Sequence, residues 1–328
     1  MKKSFITYIL ISVSFLSFGQ RLIKADEKIL EKKEDSLKMY ATKIIEGINP
    51  EDRLKSDSVF TRMLVRSLKT VNSFYYPFDS LQTVSRLYAP DSSFRIFTWQ
   101  MVINDNVIRQ HGAMQMRTHD GSLKLYPLID KSDVTKNLID TVGNNLGWIG
   151  AIYYKIIQKK SSNQNYYTLL GYDENNINSN RKIIEVVNFL NNDEPTFGGR
   201  YFSYEEDSVF KTSQGRYIME YKKNAGPKLN YDKDLDMIMV EHLVSESNEP
   251  SKKWTLVGDG DYEGFKWKNG KWVHIEKVFN YVTPQGKEPV PEPLRDPNGN
   301  INETKLKGFE EEPEKSKPKE SIPKKRNN

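Results

Sequence analysis

The feature that most constrains the fold of this chain is a series of short apolar or alternating segments, each followed by a turn signal. Apolar and polar residues that alternate with a period of two are typical of strands with one buried face. The turn signals include Asn-Asp, Asp-Gly and Asn-Gly, and short turns of this kind join antiparallel neighbours. The segments are residues 94–101, 107–116, 123–126, 148–157, 166–171, 182–189, 216–221, 237–243, 254–257, 265–268 and 271–275. They predict a mainly β domain over residues 73–283, built as an antiparallel sandwich or an open barrel.

The preceding segment, residues 20–72, has the apolar spacing of two helices. Apolar residues recur there at steps of three, four and seven, at Ile29, Leu30, Leu37, Tyr40, Ile44 and Ile45 and then at Val59, Phe60, Met63, Leu64 and Leu68. Gly47 favours the end of the first helix, and Asn49 before Pro50 favours the start of the second. We therefore expect a helical pair that packs on the β domain.

The two ends of the chain differ from both of these regions. Residues 1–19 combine Lys2 and Lys3 with an apolar run and small residues before Gln20, which is the pattern of a secretory signal peptide. The run is shorter than the roughly 20 residues of a membrane-spanning helix, so we expect no transmembrane span after signal cleavage. An uncleaved N-terminal anchor is the alternative. Residues 284–328 are rich in Pro, Lys and Glu, which predicts a disordered charged tail.

The composition excludes several kinds of site. The absence of cysteine excludes disulfides, thiolate nucleophiles and zinc–thiolate centres. A net charge of +5 without a basic cluster in the β region argues against a nucleic-acid partner. The chain has no nucleophile elbow, phosphate-binding loop or dinucleotide fingerprint, and we expect no cofactor.

The stretch GDGDYEGFKWKNGKWVHIE, residues 258–276, suggests two different structures. Asp259, Asp261 and Glu263 alternate as in the first half of an EF-hand calcium loop, but the closing acid of such a loop is missing. We therefore expect no metal site, and these three carboxylates are the weak candidate for one. The Asn269-Gly270 dipeptide indicates instead a β-hairpin turn between two strands.

Trp267 and Trp272 flank this turn, and together with His242 they are the candidate binding residues. Abundant Tyr and Trp are typical of a sugar-stacking or peptide-binding face and equally of a sheet core, and both interpretations stay open. His242 is either a base in a pocket or a satisfied core or edge residue. None of the four histidines has the spacing of an HExxH metal motif.

Several phrases of the chain together resemble a family of exported proteins of Bacteroidota. They are FYYPFDSL (74–81), APDSSFRIFTWQM (89–101), WIGAIYYKII (148–157), YYTLLGYDENN (166–176), PTFGG (195–199), LDMIMVEHL (235–243) and the stretch from residue 258. The match covers most of residues 74–276. The resemblance implies export, and the charged tail favours the periplasm over secretion. It implies no activity, fold or site.

The same resemblance implies a possible modification. Exported proteins of this phylum are often O-glycosylated at Asp, then Ser or Thr, then an apolar residue, and the pattern occurs here at Ser36, Ser58, Ser80, Thr141 and Ser208. Asp-Ser pairs also form helix caps and turns, which is the alternative interpretation.

These features predict an exported cell-envelope protein that acts as a non-catalytic binding or scaffolding module. The expected partner is an envelope protein or a glycan. One alternative is a hydrolase of envelope glycans or peptides, whose carboxylate pair the sequence does not single out. The other is a barrel that carries a small ligand in an enclosed cavity.

Overall fold

The computed structural model describes residues 22–104, 107–191 and 194–279. The predicted signal peptide and the predicted charged tail lie outside these residues. The described part is mainly β, with three sheets and an N-terminal pair of helices, as the sequence predicts. None of the described helices combines the length and the apolar character needed to cross a membrane.

The helical pair consists of α1 (Lys24–Glu46) and α2 (Pro50–Leu68). The side chain of Asn49 accepts a hydrogen bond from the Asp52 amide at 2.9 Å, so the predicted cap is confirmed. Ile29 is 47% exposed, contrary to the predicted apolar stripe. Neighbouring helix positions differ in direction by about 100°, and Leu30 occupies the side that faces the core.

In the described residues, fifteen strands form three sheets. Of three short 3₁₀ helices, Ser73–Tyr75 precedes the first strand, and Asn145–Gly147 and Lys253–Thr255 lie between strands. The first sheet has the order β1 (Ser85–Tyr88), β2 (Phe94–Asn104), β3 (Val107–Met116), β4 (Lys124–Ile129). The middle sheet has the order β5 (Gly143–Asn144), β9 (Glu194–Phe197), β8 (Ser179–Asn191), β7 (Gln164–Asp173), β6 (Ile152–Ser161), and β11 (Arg216–Lys222) also pairs with β8. The third sheet has the order β10 (Phe202–Ser203), β15 (Lys271–Ile275), β14 (Leu256–Lys268), β13 (Met237–Ser245), β12 (Leu229–Asp232).

Three apolar clusters hold these elements in four layers. The first joins the helices to one face of the first sheet, where Phe97 and Trp99 of β2 are buried. The second joins the opposite face of β2 to the middle sheet through Phe94 and Leu169. The third joins the other face of the middle sheet to the third sheet. Alternate residues of one strand therefore serve different cores, because successive side chains point to opposite faces.

The structure decides between the two predicted architectures and corrects some details. The three described sheets pack face to face through separate apolar cores instead of curling around one interior, so the stacked sandwich is the form present. One pair, β10 with β15, is parallel rather than antiparallel. The long chain excursion between these two strands permits the parallel direction, which a short turn would forbid.

Two of the predicted connections differ from expectation, and one is confirmed. The Asp-Gly turn signal at residues 120–121 does not form a tight turn but lies in a seven-residue connection between Met116 and Lys124, which are the last paired residues of β3 and β4. The segments 254–257 and 265–268 are not separate strands, because β14 runs from Leu256 to Lys268. The hairpin at Asn269-Gly270 is present, with positive φ angles of 49° and 81° that match the turn type of this dipeptide.

Candidate functional site

A cleft with a volume of about 490 Å³ opens between the middle and third sheets, alongside β11. A volume of this size is typical of ligand sites. Its lining is formed by residues 136–139 of the β4–β5 connection, Arg181, residues 217–220 of β11, residues 241–243 of β13, Lys253, Leu256 and Glu263. The cleft thus combines an apolar surface with charges of both signs.

Both faces of β11 contribute to this cleft. Tyr217 and Met219 belong to the core between the middle and third sheets, whereas Ile218 packs against the core on the opposite face of the middle sheet. All three residues line the cleft. Side chains from opposite faces of a strand meet one cavity only where the cavity runs along the edge of that strand. The cleft therefore follows the edge of β11.

A bulge in the third sheet positions His242 in the cleft. The register between β13 and β14 shifts so that residues 259–261 lie opposite His242 alone. Gly260 has a φ of 88°, in the left-handed region that glycine adopts without strain. The bulge brings Asp259 to 2.8 Å from His242 Nδ1. A bulge of this kind redirects side chains near the edge of a sheet, and here it holds the imidazole in one orientation.

Glu263 lies between two imidazoles on neighbouring strands. Its Oε1 atom is 3.8 Å from His242 Nε2, and its Oε2 atom is 3.1 Å from His274 Nε2. The other ring nitrogen of His274 lies 2.8 Å from Asp207 Oδ1. Asp259, His242, Glu263, His274 and Asp207 therefore form a continuous chain of carboxylates and imidazoles that runs from the cleft into the protein.

The protonated form of His274 is favoured by its two carboxylate partners. Burial of the ring opposes the charge, but the hydrogen bonds and negative charges of Glu263 and Asp207 outweigh it and raise the pKa of His274 above its ordinary value. Nearby, burial and the charge of Glu263 raise the pKa of the Tyr217 hydroxyl. Both effects favour the neutral, protonated form of the Tyr217 hydroxyl.

Replacement of His274 by glutamine is expected to cost more stability in acid than in alkaline solution. Because the pKa of His274 is raised on folding, its contribution is complete below the unfolded value of about 6.5 and is lost as the pH rises through the folded value. Urea unfolding of the wild type and of His274→Gln at pH 5.5 and pH 9 measures this difference. An equal loss of unfolding free energy at the two pH values would contradict the proposed charge on His274.

The carboxylates that line the cleft already accept hydrogen bonds from the protein, whereas two of its lysines form no ion pair with a described carboxylate. Glu220 accepts hydrogen bonds from Arg181 and Ser179, and Glu241 accepts one from the Lys228 amide at 2.6 Å. Among the residues that the structure describes, neither Lys136 nor Lys253 has a carboxylate within ion-pair distance. The positive charges of the cleft are therefore the ones available to a ligand.

The candidate metal residues have a different role from the one that a calcium loop would give them. Asp259 and Glu263 meet His242, but Asp261 is exposed and its Oδ2 atom lies 3.8 Å from Lys277. Within residues 22–104, 107–191 and 194–279, no three His, Asp or Glu side chains are arranged to hold a metal ion. These three residues lie in strand β14, whereas the calcium loop of an EF-hand joins two helices.

The two candidate tryptophans lie in the packing of the third sheet, outside the cleft. Trp272 is fully buried and donates a hydrogen bond from Nε1 to Thr168 at 2.8 Å, which leaves it no surface for a ligand. Trp267 is half-buried against Trp272 and Tyr166, with ring centroids 5.3 and 5.7 Å away. The core interpretation therefore holds for Trp272, and of the three predicted binding residues only His242 lines the cleft.

The predicted glycosylation sites occupy different kinds of position. Ser36 lies in α1 and Ser58 in α2, whereas Ser80, Thr141 and Ser208 lie in connections. The Ser208 hydroxyl donates to Glu276 at 2.8 Å. Modification at these positions stays a prediction.

Sequence reasoning did not identify the other residues of the site. Lys136, Lys253 and Tyr217 come from three distant segments that carry no motif. The pairing of Glu263 with His274 was within reach, because the Asn269-Gly270 turn fixes the register of the hairpin and places the two residues diagonally on one face.

Comparison of the chain with protein-family models, with curated proteins and with solved structures finds no match. The described fold is mainly β, with stacked open sheets and a helical layer on one side. Its candidate site is a solvent-accessible cleft at the edge of a strand.

Proposed function

We propose that this protein is an exported cell-envelope binding module that holds its ligand in the cleft beside β11. The observation that carries the proposal is the pairing of the charges in the cleft. Glu220, Glu241 and Glu263 are engaged by protein donors, whereas Lys136 and Lys253 have no carboxylate partner among the described residues. Buried or half-buried acids that are already satisfied do not need a ligand, but the two cations favour an anionic one.

The composition of the cleft supports binding more than hydrolysis. The described lining has no Ser, Thr or Cys, so it offers no nucleophile of the usual serine or cysteine type. A carboxyl whose pKa is raised by burial, Asp173, lies outside the lining. His242 is oriented by Asp259, and for this reason a hydrolase is the second candidate function.

The proposed location follows from the sequence. A signal peptide over residues 1–19 and the resemblance to exported proteins of Bacteroidota support export, and the charged tail supports the periplasm. In that compartment the ligand would be an envelope protein segment or a glycan. The absence of cysteine is compatible with an oxidising environment.

Saturation-transfer NMR of the mature chain tests the proposal with two probe sets, a mixture of random tetrapeptides and a digest of cell-wall glycan. We expect transfer to members of one set, and an affinity about tenfold lower in Lys253→Glu, since charge reversal opposes an anionic ligand. Lys233→Glu is the matched control, because Lys233 is exposed and lies outside the cleft. Transfer that is absent, or equal in the two variants, contradicts a ligand site here. Catalytic cleavage of a probe supports the hydrolase instead.

A further inference from the structure

The ladder between β11 and β8 determines which backbone groups of β11 face the cleft. In an antiparallel pair, every second residue directs both its N–H and its C=O toward the partner, and the residues between direct them away. The Lys223 amide donates to the Asn178 carbonyl at 3.0 Å, in register with the pairs Tyr217–Ile184 and Met219–Lys182. Tyr217, Met219 and Tyr221 therefore bond to β8, and Ile218 and Glu220 direct their backbone groups outward.

The outward edge of β11 has no strand beside it. Within the described residues β11 pairs with β8 alone, and the backbone groups of Ile218 and Glu220 have no hydrogen-bond partner. Both residues line the cleft. The cleft thus contains two pairs of outward N–H and C=O groups, one on each of two alternate residues of β11. This spacing matches the hydrogen-bonding groups of an extended peptide.

The side chains around this edge suit a peptide that bears a carboxylate. Leu138 and Ile139 on one side, and Leu243 and Leu256 on the other, provide apolar contacts for alternate side chains. Lys136 and Lys253 supply the positive charge without an acid of the protein to neutralise it. A glycan would leave the backbone edge unsatisfied, because it lacks the regular alternation of amide donors and acceptors.

We propose that the cleft binds an extended, carboxylate-bearing peptide as an added strand on the outer edge of β11. The inference rests on the proposed function and specifies its ligand class. The peptide bonds to the backbone of Ile218 and Glu220, and its carboxylate pairs with Lys136 or Lys253. Along the bound peptide, residues whose backbone forms hydrogen bonds with β11 therefore alternate with residues whose backbone does not.

N-methylation of the peptide tests this arrangement without altering the protein. Twelve-residue peptides are selected from a random displayed library against the mature chain, and the tightest is then methylated at one backbone nitrogen at a time. We expect about tenfold weaker binding at every second position along the bound stretch and little change between, because each methyl removes one backbone donor. If methylation weakens binding equally at all positions, or only at positions whose side chains contact the cleft, the peptide does not bind as an added strand.

A second variant pair tests the same edge from the side of the protein. Ile218→Pro removes an outward amide that takes no part in the ladder with β8, whereas Ile218→Val keeps it. We expect the proline variant to bind the selected peptide about tenfold more weakly and the valine variant to bind normally. Equal binding by the two variants overturns the inference. If binding then still depends on Lys253, the proposed function stands and only the added strand fails.

Discussion

Replacement of Glu185 by alanine is expected to lower the free energy of unfolding by about 3–5 kcal/mol. Glu185 and Arg216 are both fully buried, and Arg216 Nε donates to Glu185 Oε2 at 2.6 Å. The same carboxylate accepts the hydroxyl of Tyr153, which accepts a hydrogen bond from Trp148 Nε1 at 2.6 Å. Removal of Glu185 leaves a buried guanidinium without a counter-charge.

Urea unfolding measures this loss, and two further variants show its origin. Glu246→Gln breaks the exposed pair with Lys222 and is expected to cost less than about 1 kcal/mol. Joint replacement of Glu185 by leucine and Arg216 by methionine removes both charges and is expected to recover most of the stability. A double variant as unstable as Glu185→Ala would contradict an origin in the unpaired charge.

Replacement of Arg95 by leucine is expected to cost about 3 kcal/mol or more, although Arg95 has no carboxylate partner among the described residues. The guanidinium is 1% exposed and donates to the Ser73 carbonyl and to Gln115, each at 2.8 Å. It also lies against four rings, those of Phe74, Phe78, Tyr88 and Phe97, at 4.7 to 5.7 Å. Burial lowers the pKa of Arg95 to about 10, so it stays charged at neutral pH.

Stability is lost because the substitution leaves several buried acceptors without a hydrogen-bond donor, and each unsatisfied acceptor costs about 1–3 kcal/mol. Arg95→Lys is also expected to destabilise the protein, since an ammonium cannot reach acceptors in the forked arrangement that a guanidinium serves. The control is Arg109→Leu, at a half-exposed arginine paired with Asp133 at 2.6 Å, with an expected cost below about 1 kcal/mol. Equal effects at the two arginines in urea unfolding would contradict the role given to Arg95.

The sequence predicts those parts of the fold that local signals specify. The Asn49 cap fixes the start of α2, and Asn269-Gly270 fixes the β14–β15 hairpin. The stacking of three sheets is not predictable from local signals. Successive side chains of β2 enter two different cores, and the sequence pattern of β2 does not show which element packs on each face. The parallel pair of β10 and β15 likewise depends on contacts between distant segments.

The candidate site was predictable only in part, for the same physical reason. His242, Asp259 and Glu263 were recognised as separate candidates, but their convergence depends on the bulge at Gly260. The alternating spacing of the acids fits a strand as well as the first half of a calcium loop, and it does not show that Asp259 and Glu263 meet His242 while Asp261 lies near Lys277. Lys253 and the open edge of β11 carry no sequence signal, because the cleft that they line forms only when the sheets stack.

Amide hydrogen exchange in the free protein tests directly whether the outer edge of β11 is uncovered, since it requires no ligand. We expect slow exchange at Tyr217 and Met219, whose amides bond to β8, and exchange at least about a hundredfold faster at Ile218 and Glu220. NMR of the protein resolves the four amides separately. Equal protection at all four would show that the edge of β11 is already covered, and a cleft that binds a peptide there would be contradicted.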